Sequence, residues 1–159
     1  MPESVDTCAY FAALLFSSLT GIKRDHGLLR PDNPFVQRLL ARRALCEPVM
    51  MVIASDPGRA APDSVGGATG IARALGAALR ALAQAADFRD GLLLLGEAGL
   101  GRDAGMRGAI YGQLAGPYFG LPAIPQELCQ RLDRHDEIQV LARALFRRAL
   151  SSSYSGDVT

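Results

Sequence analysis

The sequence predicts an all-α fold, and three observations carry that expectation. Ala and Leu dominate, Trp is absent and β-branched residues are sparse, a composition that favours helix over strand. Apolar residues recur at three- and four-residue steps through most of the chain, the period of one helical face. Gly and Pro gather in a few breaks between these stretches, where turns are expected. With 159 residues and 49% apolar content, burial can offset the conformational entropy of ordering, so intrinsic disorder is excluded. One domain over residues 1–150 is expected, with a flexible tail at 151–159.

The elements follow in order. Val5, Cys8, Phe11, Ala12, Leu15 and Leu19 share one face of a helix over 3–19, and Gly21 stands where such a helix stops. Two prolines and Asp32-Asn33 make 28–34 a loop. Helical periodicity resumes over 35–45 until Pro48 limits it. Pro57, Gly58, Pro62, Gly66, Gly67 and Gly70 break residues 55–70 into a long loop, a functional segment or a linker. The stretch 71–86 is amphipathic, with Ile71, Leu75, Ala78, Leu79 and Leu82 on one face. Asp87 is placed to cap a short helix over 88–97, which Gly99 and Gly101 end. Gly108, Gly112, Gly116 and Gly120 recur every fourth residue, so they line one helical face and predict close approach of a neighbouring backbone. Pro122 and Pro125 bracket a turn before closing helices over 126–132 and 137–150.

Charge narrows the functional classes. Seventeen basic against sixteen acidic residues leave a net of +1, which gives no electrostatic case for nucleic acid or an anionic membrane. The uncharged run at 8–16 is far shorter than the roughly 20 residues that span a bilayer. Glu3 and Asp6 precede it with no basic residue, unlike a secretory signal, so the cytoplasm is the expected compartment. Cys8, Cys46 and Cys129 are widely spaced and odd in number, which argues against a disulfide framework or zinc site. His26 and His135 are the only histidines, and His135 lies in the charged run Asp133-Arg-His-Asp-Glu137, read as a helix junction.

One stretch has a distinctive wording. Phe88-Arg-Asp-Gly-Leu92, then Gly108-Ala-Ile-Tyr-Gly-Gln-Leu-Ala-Gly-Pro-Tyr-Phe-Gly120 and Ala123-Ile-Pro125, resemble the C-terminal part of the ADP-ribosylglycohydrolases. Ala9-Tyr-Phe-Ala-Ala-Leu14, Gly21 and Leu28-Leu29 are similar to that family's mid-chain helix, and 67–82 to its Gly-rich loop and the helix after it. The resemblance implies an orthogonal all-α domain around two magnesium ions. These would orient ribose hydroxyls and a water for hydrolysis of the bond between ADP-ribose and an acceptor such as arginine. It further implies a Gly-x-Asp-Ala-Asp-Thr metal motif ahead of the Gly-rich helix. Gly101, Asp103 and Ala104 match it, whereas Gly105 stands in place of the second aspartate and Met106 in place of the threonine. Arg102 and Arg107 flank Asp103 and are expected to pair with it. The family's Thr-Asp-Asp ligands have no counterpart, since the sequence contains no Asp-Asp pair.

The resemblance therefore implies Asp103 as a metal ligand and Gly66, Gly67, Thr69 and Gly70 as the loop approaching ADP-ribose. The leading expectation is a truncated, catalytically impaired family member that binds no magnesium on its own. Its alternatives are a hydrolase completed by a separately encoded N-terminal half and a non-catalytic module for ADP-ribose or an ADP-ribosylated protein. A homo-oligomer, or a complex with the missing half, is expected. Apolar surface is expected to be exposed on the 71–86 helix and the 108–120 face.

Overall fold

The computed structural model describes residues 2–22, 27–55, 57–58, 70–97 and 103–154. Among these it contains eight α-helices and no strand: α1 (Pro2–Leu19), α2 (Pro34–Arg42), α3 (Glu47–Ala54), α4 (Gly70–Gln84), α5 (Phe88–Glu97), α6 (Ala104–Phe119), α7 (Gln126–Gln130) and α8 (His135–Tyr154). A 3₁₀ turn at Leu121–Ala123 follows α6. The all-α expectation holds. The chain divides into two compact units, Met1–Ile124 and Pro125–Thr159.

In the first unit α4 is the central element, packed against α1, α3, α5 and α6. Its Ala-rich sequence explains this position, because small side chains let neighbours approach on several sides. Ala72, Ala74, Leu75, Ala77, Ala78, Leu79, Ala81 and Leu82 are all buried. A helix apolar nearly all round is an interior helix, so the exposed stripe expected on 71–86 is not there.

Local chemistry sets the ends of the surrounding helices. Asn33 caps α2, its side-chain oxygen accepting from the Phe35 and Val36 N–H groups while Pro34 opens the helix. The same buried Asn33 accepts from the Ser17 hydroxyl of α1 at 3.0 Å and donates to the Leu28 carbonyl at 3.1 Å. At α5 the cap is Asp87, as expected from sequence: its carboxylate accepts from the Asp90 N–H at 2.8 Å, and Asp90 in turn accepts from the Ala86 N–H at 2.8 Å. Between α2 and α3 the extended segment is tied to α1 by buried Asp6, which accepts from the Arg43 guanidinium and from the Cys46 N–H.

Helix α3 departs from the sequence expectation. The sequence pattern makes Pro48 the limit of the preceding helix, yet it lies in the first turn of α3, where its missing N–H is not needed and its fixed φ suits a helix start. The glycines of α6 also behave differently from the close-packing expectation. Among the described residues, a Cβ built at Gly108, Gly112 or Gly116 meets nothing within 4 Å. The buried side of α6 is instead Tyr111, Leu114 and Ala115. Of the glycines in α5 and α6, it is Gly91 of α5 that accommodates a close neighbour, since a Cβ there would lie 2.0 Å from the Tyr111 hydroxyl.

The second unit is carried by α7 and α8, with residues 131–134 between them and Arg134 at a φ of 58°. Helix α8 runs through Tyr154, into the segment expected as tail.

Candidate functional site

The one residue matched to a metal ligand, Asp103, is the N-cap of α6, and its side chain makes no capping hydrogen bond there. Its carboxylate turns instead to α4, where Arg73 donates a hydrogen bond to it at 3.3 Å. The carboxylate is three-quarters buried, with 24% of its side chain exposed, while the Arg73 side chain is 50% exposed. The pair bridges the first turns of two packed helices, and α4 begins at Gly70. Gly70 and Asp103, named separately from sequence, thus head adjacent elements. Gly66, Gly67 and Thr69 lie outside the described residues, as do Gly101, Arg102 and His26.

Three features of this place are positive. The N-termini of α4 and α6 each present the positive end of a helix dipole, and the Arg73 guanidinium lies beside the carboxylate. Gly105 and Met106 follow Asp103 in α6 and supply no side-chain oxygen. Magnesium takes a near-octahedral oxygen shell and is held through carboxylates. A single carboxylate already engaged by a guanidinium, followed by a glycine and a thioether, does not fit that ion. Gly105 leaves space for more, because a Cβ there meets nothing within 4 Å among the described residues.

Sequence reasoning missed Arg73 and looked to the two flanking arginines. A signal was present. An arginine in the first helical turn is disfavoured by the dipole, so a carboxylate partner from another element is the natural compensation.

One turn beyond Asp103, Met106, Ala109, Ile110 and Gln113 of α6 face Ile71 and Leu75 of α4 and Phe11 of α1 around a cavity of about 240 Å³. Its lining is largely apolar, and the volume falls below the roughly 300 Å³ at which ligand pockets begin. Cys8, at its rim, is a free thiol. Elsewhere, burial pushes the Tyr10 hydroxyl's pKa up, so it stays protonated and inert. Tyr111 is held by donating to the Phe88 carbonyl at 3.1 Å, a packing role.

Comparison with known proteins identifies the chain's relatives. The family model described as ADP-ribosylglycohydrolase matches residues 1–154. A protein of Pseudomonas putida (strain GB-1) named ADP-ribosylarginine hydrolase Tri1 is 31% identical over 147 residues, covering 92% of this chain and 36% of that protein. Its namesake from Serratia proteamaculans (strain 568) is 28% identical over 148 residues, covering 93% and 37%. A solved structure titled ADP-ribosylglycohydrolase-related protein complex superposes with a TM-score of 0.68 at 34% identity, covering 86% of this chain and 44% of the solved one. The chain thus spans little more than a third of the length of these curated relatives and under half of the solved chain. The match runs through every described helix, α1 to α8, and on that ground the 159 residues belong to the ADP-ribosylglycohydrolase family.

Proposed function

We propose that this chain is an ADP-ribosylglycohydrolase-family protein that does not by itself hydrolyse the bond between ADP-ribose and an acceptor side chain. The observation that carries the reading is the Arg73–Asp103 ion pair at 3.3 Å. A guanidinium neutralises the only carboxylate of the matched motif, and Gly105 and Met106 offer no oxygen in its place. The chain alone therefore holds no magnesium at Asp103 in this reading, and no catalytic residue is assigned to it. The acceptor class suggested by the relatives named ADP-ribosylarginine hydrolase is arginine.

A second reading rests on the relatives' greater length. A separate chain supplying the Thr-Asp-Asp carboxylates would rebuild a metal centre against Asp103, and among the described residues a Cβ at Gly105 meets nothing within 4 Å. A third rests on sign: a half-exposed guanidinium between two helix N-termini suits a diphosphate better than a cation, which makes a non-catalytic ADP-ribose contact the use of the same place. All three readings include an assembly, with a second copy or a completing chain.

Purified chain incubated with ADP-ribosyl-arginine and magnesium or manganese tests the leading reading. No release of ADP-ribose above the no-protein control is expected, and sustained turnover overturns it.

A further inference from the structure

We draw no further inference here: the strongest candidate, the apolar cavity between α1, α4 and α6 with the Cys8 thiol at its rim, is a partly open apolar face, and nothing in the structure shows what covers it.

Discussion

Replacing Gly91 with alanine drives a methyl group into the ring of Tyr111, at 2.0 Å from its hydroxyl oxygen, 2.3 Å from Cζ and 2.6 Å from Cε2. Tyr111 is fully buried, so its ring has nowhere to retreat, and it also packs against Phe88 at a centroid separation of 5.6 Å. Overpacking of this kind costs about 1–3 kcal/mol, and the rigid ring places it in the upper half of that range. Displacing the hydroxyl from the Phe88 carbonyl adds about 1 kcal/mol. Alanine's greater helix propensity returns about 0.5–1 kcal/mol. The net expectation is a loss of about 2–3 kcal/mol, seen as a fall in Tm of about 5–10 °C for a chain this size. Thermal and urea unfolding followed by far-UV circular dichroism measure it. Tyr111→Phe, which removes the atom in closest contact, should cost about 1 kcal/mol alone yet recover part of the loss when combined with Gly91→Ala, giving a coupling of about 1 kcal/mol. A neutral or stabilising Gly91→Ala, the outcome helix propensity alone gives, would refute the packing of Tyr111 over Gly91.

Three further outcomes follow from the same structure. Asn33→Ala removes the α2 cap and takes the donor from the Leu28 carbonyl, while the Ser17 hydroxyl keeps its bond to the Ala13 carbonyl at 2.7 Å, a loss of about 1–3 kcal/mol in urea unfolding. Gly105→Asp places a carboxylate in the first turn of α6, where a Cβ meets nothing within 4 Å among the described residues, and should stabilise the chain by about 0.5–1 kcal/mol in metal-free buffer. The buried Tyr10 has a pKa raised above its ordinary 10.0. The unfolded chain therefore loses this proton first, stability falls as pH rises past that value, and Tyr10→Phe should flatten the decline in unfolding free energy measured on the alkaline side.

Several helices were legible because their periodicity and caps agree: α1, α4, and α5 with its Asp87 cap all fall close to where spacing places them. Helix α3 was not, because a proline ends a helix or begins one depending on which turn it occupies, and sequence alone does not say which. The four spaced glycines invited a close-approach reading, but spacing identifies a face without saying what lies opposite it. The close contact belongs to Gly91, an isolated glycine in a leucine-rich helix whose partner is twenty residues away at Tyr111. At the candidate site the loss of the second aspartate and the threonine was visible in the motif itself. The identity of the cation beside Asp103 was not, since Arg73 reaches it from another helix and only tertiary packing brings them together.

That pairing is the centre of the account, and manganese, which reports binding by electron paramagnetic resonance, addresses it directly. Titration of the purified chain should reveal no site tighter than millimolar. Arg73→Ala, which frees the carboxylate, and Gly105→Asp combined with Met106→Thr, which restores oxygen ligands, should each strengthen binding, with the three changes together strengthening it most. Stoichiometric, micromolar manganese binding by the unmodified chain, abolished by Asp103→Asn, would contradict the account by showing that Asp103 anchors a working metal site despite Arg73.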